Sequence, residues 1–129
     1  MSDDASITGN KKTAVEFLGL VIAGDIDEAY RKYAARDGRH HNLFFPAGFV
    51  ALQKAMEEAH VQFPRKSFTV KHVIGEGDFV AVHSHLVLES GSPGYITLHI
   101  FRFSGGKIAE LWDFSQGIPS EMPNADGPF

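Results

Sequence analysis

The hydrophobic period of this chain changes once, at Ser67, and that single change limits what it can fold into. Before Ser67 apolar residues recur at steps of three and four. Residues 11–23 place Ala14, Leu18, Val21 and Ile22 on one helical stripe, and Gly24 ends it. Asp25 with Glu28 three positions on has the form of a capping box, and Ile26, Ala29, Tyr30 and Tyr33 continue as a short amphipathic helix. Residues 37–42, Asp-Gly-Arg-His-His-Asn, read as a loop. Phe49, Leu52, Met56, Ala59 and Phe63 form the stripe of a third helix over residues 48–62, closed by Pro64. After Ser67 the period is two. Four strands are expected, from Ser67, over Phe79–Glu89, Tyr95–Phe103 and Lys107–Ser115, separated by Gly-rich turns. Helices first and an antiparallel meander second is an α+β arrangement, with the helices packed in a strongly curved sheet.

The 129 residues suffice for one domain, taken as 1–129. Residues 1–10 are polar and expected to be a flexible start, and residues 117–129 an irregular tail. With no Cys, thiolate catalysis, disulfides and Cys-type metal sites are excluded. A net charge of −4 argues against nucleic acid and anionic membranes as partners. No apolar run approaches the roughly 20 residues of a membrane span, and a cytoplasmic location is expected. The unusual counts are seven His and eleven Phe.

His83 and His85 are one residue apart on a strand, so they share a face, with Phe79 beside them. His99 and Phe101 share a face of the next strand, and Asp113 lies on the last. A three-residue turn at Ser104-Gly105-Gly106 is expected, because Gly suits its third position, and it pairs Phe103 with Lys107 and makes His99 and Asp113 diagonal neighbours. A two-residue turn would shift the register by one and separate them. Asp113 as proton acceptor, with His99 orienting it or polarising a substrate, suits acid–base chemistry. His83, His85, Phe79, Phe101 and the loop pair His41-Asn42 are the candidate pocket lining. Trp112 falls on the face opposite Asp113 and is read as packing.

Gly77, His83-Ser84-His85 and Glu89 are similar to the first metal motif of the cupin family, with His99 a candidate fourth ligand. Ile96 stands where that motif has Gly, no second motif follows, and the helical first half is unlike a double-sheet barrel. No metal or other cofactor is expected.

The chain more closely resembles the SnoaL-like branch of the nuclear transport factor 2-like superfamily, in particular its predicted aldol-condensation-catalysing members. The segments that carry the resemblance are His40-His41-Asn42, the run from Lys71 to Asp78, and Val80-Ala81-Val82-His83-Ser84-His85. They continue with His99 to Phe103, Glu110-Leu111-Trp112-Asp113 and the ending from Pro123 to Phe129. The resemblance implies a cone-shaped α+β barrel with one deep pocket, and a homodimer. It also implies cofactor-independent cyclisation by aldol chemistry, with an Asp and a His fourteen positions apart, as Asp113 and His99 stand here. Leu43 and Ile118 depart from the Pro common in close relatives. The expected function is therefore a lyase, isomerase or cyclase acting beside a carbonyl of a small apolar or aromatic compound. A non-catalytic binder of such compounds is the alternative, and a His-ligated metal enzyme a third.

Overall fold

A computed structural model describes residues 3–129. Among the described residues three helices and five strands follow in the order α1 (Asp3–Ala23), α2 (Ile26–Tyr33), β1 (Ala34–His40), α3 (Phe49–Gln62), β2 (Ser67–Glu76), β3 (Phe79–Val87), β4 (Tyr95–Ser104) and β5 (Lys107–Gly117). The strands form one curved, open sheet in the order β1-β5-β4-β3-β2. The helices cover its inner face.

The buried stripe of α1 is Ala14, Phe17, Leu18 and Val21, the i, i+3, i+4, i+7 spacing of a helix with one apolar face. Edge-to-face rings then connect helices to sheet. Phe17 meets Tyr30 at 5.2 Å and Phe101 at 5.9 Å, and Tyr30 meets Phe49 at 5.7 Å. Burying each of Phe17, Phe49 and Phe101 contributes about 1.5–3 kcal/mol.

Several expectations need correction. Helix α1 begins at Asp3, so residues 3–10 are helical; Met1 and Ser2 of the expected flexible start lie outside the described residues. Asp25 stands at the start of α2 without a side-chain cap bond, so the capping box does not form. The expected loop at residues 37–42 is mostly a fifth strand, β1, which runs parallel to β5. Its signal was hidden because Ala34–His40 is polar and only Gly38 and His40 are buried.

Two bulges reset which residues face the core. In β2, Val70 pairs with Ser84 but His72 pairs with His83, so Lys71 is the extra residue. Phe68, Val70 and Val73 pack inward as a result, and Ile74 is turned outward. The β4–β5 turn is the two-residue kind, pairing Ser104 with Lys107. Gly105 and Gly106 both take positive φ, +57° and +79°, as the mirror-image turn of a tight hairpin requires. A second bulge at Ala109 follows: Phe103 pairs with Ile108, and Arg102 with Glu110. It shifts the register by one more residue in the same direction as the shorter turn, which restores the face expected of each β5 residue but not its partner. His99 therefore lies directly opposite Asp113, not diagonal to it.

Candidate functional site

Asp113 and His99 reach the same inner face because of that bulge. Directly opposed side chains have Cβ atoms roughly 4.5–5.5 Å apart. The inner face of β4 and β5 also carries Thr97 with Ser115, one pair toward the open end, and Phe101 with Leu111, one pair toward the core. Strand β1 stops at His40, opposite Leu111, and the His41 N–H makes a last bond to the Leu111 carbonyl at 2.9 Å. Beyond it the edge of β5 is free of β1.

A cavity of about 680 Å³ opens there. Asp113, His99, Thr97 and Ser115 supply its polar groups, with His41 and Asn42 from the loop. Leu86, Phe114, Trp112, Leu43 and Phe44 supply apolar surface.

The loop is held by its own side chains. The Asn42 N–H donates to His40 Nδ1 at 3.1 Å, and His40 Nε2 bonds the Pro46 carbonyl at 2.7 Å, so one ring ties both ends. Asn42 Oδ1 accepts from the Phe44 N–H at 2.9 Å, and Asn42 Nδ2 donates to Asp113 Oδ2 at 3.0 Å. Asn42 thus fixes one carboxylate oxygen and leaves the other for different work.

The electrostatics follow from burial. Burial pushes the His99 imidazole below its ordinary pKa, against the pull of the Asp113 charge, so the neutral ring is favoured. Tyr30 is buried, and its hydroxyl donates to the Met56 sulfur at 3.2 Å. Burial, with the Asp113 charge adding to it, raises the Tyr30 pKa and keeps the phenol protonated.

The other expected site residues are placed differently. His83 pairs with Leu98 and His85 with Ile96, while His99 pairs with Val82. His83, His85 and Phe79 therefore lie on the outer face, and only Phe101 shares the inner face with His99. Facing strands decide this, and parity within one strand cannot. His85 Nε2 is bonded to the Pro93 carbonyl at 2.8 Å, and His83 Nδ1 meets His72 Nδ1 at 2.9 Å. The same register separates the ligands of the metal reading, and no group of three or more His, Cys, Asp or Glu is gathered for a metal among the described residues. His41 rims the cavity, but its Nε2 is bonded to Glu110 at 2.6 Å, and its ring stacks on Trp112 at 5.0 Å. Trp112, read as packing, also lines the cavity. The sequence reading missed Thr97, Ser115, Leu86 and Phe114 as cavity residues. The exposure of Leu43 and Phe44, 91% and 87%, is the consequence of a loop composition that was visible.

The SnoaL-like domain profile matches residues 14–111. No curated protein matches the chain. Among solved structures, a SnoaL-like protein of unknown function from Burkholderia thailandensis is 16% identical, with a TM-score of 0.72 over 85% of this chain and 96% of that one. IdmH, a candidate polyketide cyclase from Streptomyces antibioticus, is 21% identical, with a TM-score of 0.67 over 82% and 91%. AclR from Streptomyces galilaeus, described as a candidate hydroxylase, is 20% identical, with a TM-score of 0.70 over 85% and 90%. At these identities the likeness is one of fold.

Proposed function

Since the chain belongs to the SnoaL-like family, we propose that it is a cofactor-independent lyase, isomerase or cyclase working by acid–base chemistry beside a carbonyl of a small apolar or aromatic substrate. The observation that carries this reading is the direct opposition of His99 and Asp113 at one cavity, with Asp113 held by Asn42. In the proposed reaction the Asp113 carboxylate takes a proton from the carbon next to the carbonyl. The electron pair of that C–H bond becomes the enolate, whose oxygen receives a hydrogen bond from His99. The enolate carbon then attacks a second carbonyl of the same molecule, whose oxygen takes the proton back from Asp113 as the C–C bond forms, or the enolate is reprotonated by Asp113 at another position. Apolar walls favour this chemistry by keeping water away from the charged intermediate.

The test is deuterium uptake from D2O by a panel of aromatic and alicyclic ketones, followed by NMR, with melting shifts measured in parallel. Asp113→Asn should lower exchange by about 10²–10⁴-fold, the usual contribution of a positioned acid or base, while the fold remains. Full exchange in that variant would sink the assignment. Binding without exchange in the wild type would make the protein a non-catalytic binder.

The proposal includes a homodimer and the cytoplasmic setting expected from composition. The dimer is supported by Phe79, Phe114 and Tyr95, large apolar side chains left exposed at 45%, 58% and 37%. A monomer in sedimentation at micromolar concentration would remove it.

A further inference from the structure

Two buried polar side-chain atoms lack a hydrogen-bond partner among the described residues: Ser84 Oγ and His99 Nδ1. Buried polar groups are nearly always paired, and each exception asks for an explanation. These two exceptions are neighbours. Ser84 pairs with Thr97 and Val82 with His99, so Ser84 and His99 are diagonal on the inner face of β3 and β4.

The surroundings leave His99 few choices. Phe68 meets its ring edge-on at 6.2 Å, and Phe101 lies parallel to it at 6.1 Å. Directly opposite stand Val82 on one side and Asp113 on the other. Of the polar neighbours on this face, Thr97 already points its hydroxyl at the Ser84 carbonyl, 3.4 Å away, and Asp113 accepts from Asn42. Ser115, also diagonal to the ring, is exposed to water, whereas Ser84, with 0% of its surface exposed, is the buried hydroxyl beside the ring without a partner among the described residues.

We infer that Ser84 is a positioning residue: its hydroxyl donates to His99 Nδ1 and so holds the ring as the Nε2–H tautomer. With Nδ1 enclosed, Nε2 is the nitrogen that the cavity can reach. Asp113 lines the same cavity, and its charge favours an N–H on the nitrogen facing it. Nδ1 is then a bare lone pair that needs a donor; the two atoms are not bonded to each other in this structure, and the proposed bond forms when the ring and the Ser84 side chain move into reach. The neutral ring thereby presents its N–H where an enolate oxygen would form. This assignment rests on the acid–base reading for its purpose, but not for its test.

The test uses ¹⁵N-labelled full-length protein and no substrate. Two-bond ¹H–¹⁵N correlations report the tautomer of each imidazole near neutral pH, and His99→Gln identifies the His99 signals. Wild type should show His99 as a single Nε2–H tautomer. Ser84→Ala should lose that single form, with the Nδ1–H form appearing, and Ser84→Thr, which keeps the hydroxyl, should restore it. An Nδ1–H ring in the wild type would overturn the inference. So would a Ser84→Ala spectrum unchanged from wild type, together with a raised melting temperature, because removal of a merely unpaired hydroxyl relieves a buried group. If the larger Thr is not accommodated, the wild-type and Ala spectra decide. Failure of the catalytic reading would show as absent exchange with this tautomer intact, so the two failures are separable.

Discussion

Asn42 ties a mobile kind of structure, a loop, to a reactive kind, a carboxylate. Its amide donates to Asp113 Oδ2, its carbonyl oxygen accepts from the Phe44 N–H, and its own N–H is taken by His40. Asp113 stands on a strand whose edge is no longer covered by β1, so without this amide the carboxylate has more rotamers open to it. Hydrogen bonds to charged groups contribute about 1.5–3 kcal/mol. Asn42→Ala should therefore lower stability by about 1–3 kcal/mol in urea titration. It should also lower exchange by roughly tenfold or more, because small misplacements of a reacting group are expensive in rate. Unchanged exchange in a destabilised variant would leave Asn42 a loop residue only.

At the scale of elements, a strand carrying little apolar signal proved decisive. The change of period at Ser67 made the helices and the β2–β5 meander legible, because each of those elements buries one face against the core. β1 was not legible: its pattern is set by its neighbours, the β5 backbone on one side and α3 on its face. The site was legible in part for a related reason. Spacing within a strand placed His99 with Phe101, but the facing of His99 and Asp113 depended on the Gly105-Gly106 turn and the Ala109 bulge together. Two errors of one residue cancelled in the parity, and only the pairing of strands could show it. The same blindness put His83 and His85 in the pocket. Gly38 shows how tightly β1 is fitted. A Cβ there would lie 2.0 Å from the Phe49 ring, which is 5% exposed and has nowhere to move. Gly38→Ala should destabilise the fold by about 1–3 kcal/mol through overpacking, read as a lower urea midpoint. A neutral result would mean that α3 can slide on β1.

For the molecule as a whole, two buried or nearly buried titratable groups set how stability responds to acid, and both act in the same direction. His99 has its folded pKa held below the ordinary 6.5 by burial, so below that value the unfolded chain takes a proton that the native state resists. Its contribution is complete above about pH 6.5 and is lost as pH falls toward the folded pKa. Glu110 has its folded pKa held below the ordinary 4.5, first by the hydrogen bond from His41 and then by that from Arg102, with Arg39 adding its charge. Its contribution is complete above about pH 4.5 and is lost as pH falls through the folded pKa. Urea midpoints should hence be level between about pH 6.5 and about pH 8.5, below the alkaline range where tyrosine and lysine titrate, and fall in two stages as pH falls from there. His99→Gln should remove the upper stage and leave the lower one. Glu110→Gln should remove the lower stage and also weaken the protein at neutral pH, since Arg102 and Arg39 then face no carboxylate. A midpoint that stays level in the wild type between about pH 7 and pH 5.5 would show that the His99 ring protonates in the folded state as easily as in the unfolded one. The neutral imidazole at the cavity, on which the proposed hydrogen bond to an enolate depends, would then lose its physical basis.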